Sequence, residues 1–163
     1  MKHSSSKQKT NPNPKLEPKS KQKLKIKFPS EEVSSYYFNL TTAMFDLFME
    51  IRTWIYELSF ADEKIGEIEE CLKWGEPSFL TPKTKSGSTI RMAKVNDSEF
   101  ALYFNCKTSI AKEISIEFPE FNCDGKRALY LSASNKLPKT KLIVCLKKAL
   151  LYHKRKSETN GFS

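Results

Sequence analysis

Two short segments in which polar and apolar residues alternate, 89–95 and 99–106, constrain the fold of this chain more than any other feature. The residues between them, 96–98, are of the type that forms turns, so the two segments are predicted to pair as antiparallel strands. Placing Arg91 opposite Tyr103 sorts the side chains into one apolar face and one partly polar face. A shift of one residue would mix the two sets, and the pattern therefore predicts this register.

A long amphipathic helix is predicted over residues 40–58. Its apolar residues recur at spacings of three and four, which places them on one broad face. They are Leu40, Met44, Leu47, Phe48, Ile51, Ile55 and Leu58. Thr41 or Asn39 is the expected N-cap, because the side-chain oxygen of either residue can accept a hydrogen bond from a free N–H group in the first turn.

A second helix is predicted to follow and to end at residues 74–75. Gly75 can adopt the positive φ of many helix C-termini, and Pro77 prevents the helix from continuing. The inner face would carry Ile65, Ile68 and Leu72, and the outer face would carry Glu63, Glu67 and Glu70. Carboxylate oxygens bind hard cations, so the three glutamates are a candidate metal site. The alternative is an acidic helix face in contact with solvent.

The rest of the chain completes the predicted architecture. A short helix over residues 109–118, capped by Thr108, is followed by a strand at 127–131 and a final helix at 138–156. Helices precede and follow an antiparallel sheet, which indicates a two-layer α+β fold with the sheet packed against N-terminal and C-terminal helices. We expect one domain over residues 30–156 and a disordered C-terminal end at 157–163.

The net charge of +9 belongs almost entirely to the N-terminal segment. Residues 1–29 contain nine lysines and one glutamate, whereas residues 30–163 contain 19 basic and 18 acidic residues. A segment with so few apolar residues is predicted to be a disordered Lys-rich tail, which serves solubility or makes weak contacts with nucleic acid or a membrane surface. Residues 1–29 contain no apolar run of the kind found in a signal peptide or a transmembrane segment, and we expect a cytoplasmic protein.

The chain carries no recognisable catalytic motif. Its four cysteines lie 35, 17 and 22 residues apart without a CxxC pair, which disfavours a zinc site and a disulfide framework. Gly-rich nucleotide motifs and the common hydrolase motifs are missing from the sequence as well. A non-catalytic binding domain is therefore favoured over an enzyme, while the ligand and the oligomeric state are left open.

The polar face of the predicted sheet carries a candidate ligand-binding site. Arg91 and Tyr103 are predicted to form a cation–π pair. With groups from neighbouring elements, the full set is Lys73, Trp74, Glu76, Ser78, Thr89, Arg91, Tyr103, Asn105 and Arg127. Its cations favour a small anionic metabolite as the ligand of a binding protein or an enzyme. The alternative is a satisfied polar network that only maintains the strand register.

Five segments of the chain, in this order and spacing, resemble the YdhG-like family of small bacterial domains of unknown function. They are LKWGEPSFLT (72–81), SGSTIRM (86–92), ALYFNCKTSI (101–110), GKRALYL (125–131) and LPKTKLIVCLKKALLYHK (137–154). The resemblance covers residues 42–154 and implies a compact α+β fold with terminal helices on an antiparallel sheet. One branch of the family is described as frataxin-like, so the resemblance also implies an intracellular iron chaperone that serves an iron-accepting protein.

The family motifs can be placed on this sequence residue by residue. The WGEP corner corresponds to residues 74–77, the GSTIR strand to 87–91, and the family's later positions to Cys106, Thr108, Tyr152 and His153. Two positions depart from the pattern, because Asn105 stands where similar sequences often have histidine and Lys107 where they often have glutamine. Without that imidazole, an iron role depends on the three glutamates of the predicted acidic helix.

Overall fold

The computed structural model describes residues 26–161, so the predictions for residues 1–25 and for 162–163 lie outside the described part of the chain. The described residues form five helices and one six-stranded antiparallel sheet. In chain order the elements are α1 (Glu31–Phe38), α2 (Thr42–Ala61), β1 (Glu69–Lys73), β2 (Glu76–Leu80), β3 (Ile90–Lys94), β4 (Glu99–Tyr103), α3 (Ile110–Glu117), β5 (Asn122–Cys123), β6 (Ala128–Ser132), α4 (Lys139–Leu150) and α5 (Tyr152–Asn160). The strands lie in the order β1-β2-β3-β4-β6-β5. This is the predicted α+β architecture.

The β3–β4 hairpin has the register that the alternation predicts. Arg91 pairs with Tyr103 and Met92 with Leu102, and strands β2 and β6 extend the sheet on either side. The apolar face packs against the helices in one continuous core that includes Ile90 and Met92. The opposite face, called the polar sheet face below, carries Arg91 and Tyr103.

Helix α2 forms where its apolar period predicts it. Met44, Phe48 and Ile51 are fully buried against the sheet, and the Thr41 hydroxyl accepts a hydrogen bond from the Met44 N–H group at 3.4 Å. Thr41 is therefore confirmed as the N-cap. Helix α1, which the sequence patterns do not predict, begins after a similar cap at Ser30. No helix in the described residues is long and apolar enough to cross a membrane.

The predicted second helix is wrong. The chain leaves α2 through a turn and then forms strand β1, in which Glu70 and Leu72 face the helices and continue the alternation that begins at the buried Ile68. Ile68 and Leu72 are four residues apart, a spacing that fits a helix as well as a strand. Only a strand also brings Glu70 to the same face, and Glu70 is indeed in the core, only 4% exposed. The three glutamates of the predicted metal site therefore share no helix face.

Glu70 is accommodated in the core by an ion pair with Arg52 of α2. The two side chains approach to 2.8 Å, and neither is more than 1% exposed. Tyr37 and Tyr56 donate hydrogen bonds to the same carboxylate at 2.8 and 3.1 Å. A buried carboxylate is tolerated only when its charge and lone pairs are satisfied in this way, so the network ties α1, α2 and β1 together.

The same arginine holds residues 26–28 against the domain. Arg52 donates to the carbonyl oxygens of Ile26 at 3.1 Å and Lys27 at 2.9 Å, and its guanidinium carbon lies 4.6 Å from the centroid of the Phe28 ring. Residues 26–28, which belong to the predicted Lys-rich tail, thus contact the domain through Arg52. At the other end, helix α5 extends to Asn160, beyond the predicted boundary at 156.

Two further helix boundaries differ from the predictions. The N-cap of α3 is Ser109, because the Thr108 hydroxyl donates instead to the carbonyl oxygen of Asn105 at 2.6 Å. The C-terminal helix is interrupted after Leu150, whose carbonyl oxygen accepts a hydrogen bond from the Ser86 hydroxyl at 2.9 Å. A loop between β2 and β3 therefore contacts the end of α4 and separates it from α5.

The stability of the domain is expected to fall at alkaline pH. Burial, reinforced by the Glu70 carboxylate, raises the pKa of Tyr37 and of Tyr56 above the ordinary value of 10.0. The unfolded chain then loses these phenolic protons at a lower pH than the folded chain does. The protonated hydroxyls therefore contribute fully to the free energy of unfolding below about pH 10, and this contribution is lost as the pH rises further. Urea denaturation of the Tyr56→Phe variant should show a shallower decline between about pH 9 and 11 than the unsubstituted protein. Identical pH profiles would contradict this expectation.

Candidate functional site

The β1–β2 hairpin turns through two residues with positive φ, Trp74 at 58° and Gly75 at 76°. Lys73 pairs with Glu76 across this turn, which makes it a two-residue type I′ turn whose twist matches that of the flanking strands. The predicted positive φ of Gly75 is confirmed, but it serves a hairpin rather than a helix terminus. The hairpin places Lys73 and Trp74 at one edge of the polar sheet face.

Two arginines flank one tyrosine on this face. The guanidinium carbon of Arg91 lies 4.9 Å from the centroid of the Tyr103 ring, and that of Arg127 lies 5.8 Å from the same centroid. Arg91 and Tyr103 thus have the geometry of the predicted cation–π pair. The register produces it, because directly opposed residues of an antiparallel pair have their side chains on the same face.

These side chains line a cavity of about 420 Å³. Eight of the nine predicted residues lie in its wall, namely Lys73, Trp74, Ser78, Thr89, Arg91, Tyr103, Asn105 and Arg127. Glu76 is the exception, and its carboxylate lies 3.2 Å from Nε of Arg91. Phe104 and Cys106 also line the cavity. They were not predicted, because Phe104 belongs to the apolar set and Cys106 lies beyond the end of β4.

The charge of the cavity is positive. Lys73 and Arg127 are exposed and form no ion pair within residues 26–161, whereas Arg91 is half-buried and pairs with Glu76. The described residues that line the cavity include no carboxylate. Partial burial and the neighbouring Tyr130 raise the pKa of Tyr103, so its phenol is uncharged at neutral pH. A concave surface with this balance attracts anions.

Two of the predicted site residues have their polar atoms engaged within the protein. The buried Ser78 hydroxyl donates to the Glu76 carbonyl oxygen at 3.1 Å, and Oδ1 of Asn105 accepts from the Lys107 N–H group at 2.9 Å. These bonds fit the alternative in which polar groups maintain local structure. The capacity to bind a ligand therefore lies with the three cations and the aromatic side chains.

The three glutamates of the candidate metal site are separated. Glu63 is exposed, Glu67 forms an exposed ion pair with Lys83, and Glu70 is buried against Arg52. Over the range 26–161, no group of three or more His, Cys, Asp or Glu side chains could hold a metal ion. The predicted set therefore does not assemble, because the helix that would have aligned it is a turn and a strand.

A larger cavity of about 800 Å³ lies between the outer face of α2 and residues 26–27. None of the residues that line it belongs to the predicted binding or metal sites. Asp46, Glu50 and Glu57 line it together with Arg52, which is already bonded to Glu70 and to two carbonyl oxygens. Lys27 and Lys139 line it as well, so its three cations are matched by three carboxylates, and it has no excess of positive charge like that of the polar sheet face.

No protein-family model, curated protein or solved structure matches this chain. The resemblance to the YdhG-like family therefore stays a prediction, and the geometry of the cavity is the remaining basis for inferring a function.

Proposed function

We propose that this protein is a binding domain for a small organic anion, such as a phosphate ester or a carboxylate, held in the cavity of the polar sheet face. The observation that carries the proposal is the convergence of Lys73, Arg91 and Arg127 around Tyr103 on one concave surface. The three side chains give this concave surface an excess of positive charge, which attracts an anion. Arginine also offers paired N–H donors that match carboxylate and phosphate oxygens.

The framework of the cavity supports binding without rearrangement. Ser78 pairs with Arg91, Arg91 with Tyr103, and Tyr103 with Ala128, so β2, β3, β4 and β6 contribute neighbouring positions. Strand pairing has already ordered the backbone that carries these groups, so the conformational entropy lost on binding is confined to the side chains. In the described residues the wall contains no histidine and no carboxylate that could act as a general base, which favours binding over catalysis.

Thermal denaturation with a panel of phosphorylated and carboxylated metabolites tests the proposal. A ligand at one hundred times its Kd adds about 2.7 kcal/mol to the free energy of unfolding. For a chain of this length that corresponds to a rise in Tm of roughly 5–10 °C. Arg91→Ala should weaken binding roughly tenfold to a hundredfold, because it removes charge-assisted hydrogen bonds to the anion.

Lys94→Ala is the matched control, because it removes one positive charge from the same strand but on the opposite face. Its ligand-induced rise in Tm should equal that of the unsubstituted protein, once each variant is compared with its own Tm without ligand. A panel that produces no shift, or equal losses of binding in the two variants, would remove the proposal.

A further inference from the structure

Trp74 combines an unfavourable backbone conformation with an exposed side chain. Its φ of 58° places it in the first central position of a type I′ turn, where asparagine, aspartate and glycine are favoured. The residue is 89% exposed, so packing within the domain does little to offset the backbone cost. An outlier of this kind, held in place by the surrounding hairpin, points to a function for the side chain.

The position of Trp74 indicates what that function is. The residue lines the anion cavity from the β1–β2 turn, and Tyr103 lines the same cavity from β4. Aromatic side chains beside cations are the combination that recognises a planar ring joined to an anionic group, because the ring stacks while the cations bind the charge. The cavity volume of about 420 Å³ lies in the range of sites for small organic ligands.

We propose that the bound anion carries a planar aromatic ring, which stacks on the indole of Trp74 while its anionic group pairs with Arg91 and Arg127. A phosphate joined to a nucleobase, as in a nucleoside monophosphate, has both groups. This inference rests on the proposed anion site and adds the class of ligand. Stacking of a base on an aromatic side chain strengthens binding roughly fivefold to a hundredfold.

Calorimetric titration with nucleoside 5′-monophosphates, ribose 5-phosphate and free nucleosides shows how much of the affinity comes from the base and how much from the phosphate. At least one monophosphate should bind about tenfold or more tightly than ribose 5-phosphate. Trp74→Asn should abolish that advantage and leave the affinity for ribose 5-phosphate unchanged. Asparagine is a favoured residue at this turn position, so the variant should melt at the same or a higher temperature. Trp74→Tyr keeps a ring and should retain part of the advantage.

The outcomes distinguish this inference from the proposed function. Equal affinities for the monophosphates and ribose 5-phosphate, or a preference that survives in Trp74→Asn, would overturn the aromatic part and leave the anion site intact. Failure of every phosphate to bind would overturn this inference, whereas the anion site itself would be overturned only if the carboxylates of the panel also failed to bind. If the inference holds, Arg91→Ala weakens binding of the monophosphates and of ribose 5-phosphate alike, whereas Trp74→Asn weakens only the former.

The same ligand chemistry has two sources, a free nucleotide and a single-stranded nucleic acid. Titration with a short single-stranded oligonucleotide of the preferred base separates them. Binding tighter than that of the mononucleotide and sensitive to Trp74→Asn supports the inference with a strand as the source. Binding no tighter than that of the mononucleotide supports it with the free nucleotide as the source. Oligonucleotide and mononucleotide binding that are both insensitive to Trp74→Asn would contradict it.

Discussion

Replacing Glu70 with alanine is expected to lower the free energy of unfolding by about 3–5 kcal/mol, the largest effect we expect from any substitution discussed for this protein. Arg52 would keep its charge in a core where it is 1% exposed, without the carboxylate that neutralises it. Tyr37 and Tyr56 would lose the acceptor of their hydroxyl groups. Domains have about 5–15 kcal/mol of stability in total, so the midpoint of urea denaturation should fall far below that of the unsubstituted protein.

Two further variants show whether the effect comes from the buried charge. Glu67→Ala removes the same side chain from an exposed ion pair with Lys83, and we expect it to change the free energy of unfolding by at most about 0.5 kcal/mol. Glu70→Gln keeps an acceptor for the two tyrosines but leaves Arg52 unpaired, so most of the loss should remain. Urea midpoints that are alike for Glu70→Ala and Glu67→Ala would mean that the ion pair does not hold α2 to β1.

The same carboxylate explains why one part of the fold could be predicted and another could not. The apolar residues of α2 recur with a helical period, and β3 and β4 alternate with a period of two, so each element is defined by its own residues. Strand β1 alternates as well, but its first inward position is Glu70, which a pattern of apolar residues leaves out. The carboxylate is stabilised at that buried position by its ion pair with Arg52, which lies 18 residues earlier in the chain. No local pattern contains such a long-range partner.

The candidate site was predictable to the extent that it depends on strand register. Once Arg91 is placed opposite Tyr103, the alternation puts both on the polar sheet face, and the structure places them there. The conformation of Trp74 was not predictable, because a glycine with positive φ ends a helix as readily as it forms a hairpin turn. The presence of Arg127 in the cavity wall depends on the pairing of β6 with β4, which is a contact between distant segments of the chain.

Gly87→Ala is expected to destabilise the domain by roughly 2–3 kcal/mol, the second largest effect. A methyl group at this position would lie 2.5 Å from the carbonyl oxygen and 2.6 Å from Cα of Leu150. Both are backbone atoms at the end of α4, so they cannot rotate away. Hydrogen bonds on either side of the glycine fix the approach, since the Ser88 N–H group donates to the Ala149 carbonyl oxygen at 2.9 Å and the Ser86 hydroxyl donates to that of Leu150 at 2.9 Å.

Gly161→Ala is the control for Gly87→Ala, because it adds the same methyl group where the nearest atom is 3.5 Å away and φ is −81°. Thermal denaturation should show a fall in Tm of roughly 4–12 °C for Gly87→Ala and little change for Gly161→Ala. Equal melting temperatures would contradict the close approach between the β2–β3 loop and the end of α4. A fall in Tm for Gly87→Ala alone, with anion affinity unchanged at temperatures well below the Tm, would show that this glycine of the GSTIR segment serves packing. The ligand contacts of that segment would then belong to Thr89 and Arg91, which line the cavity.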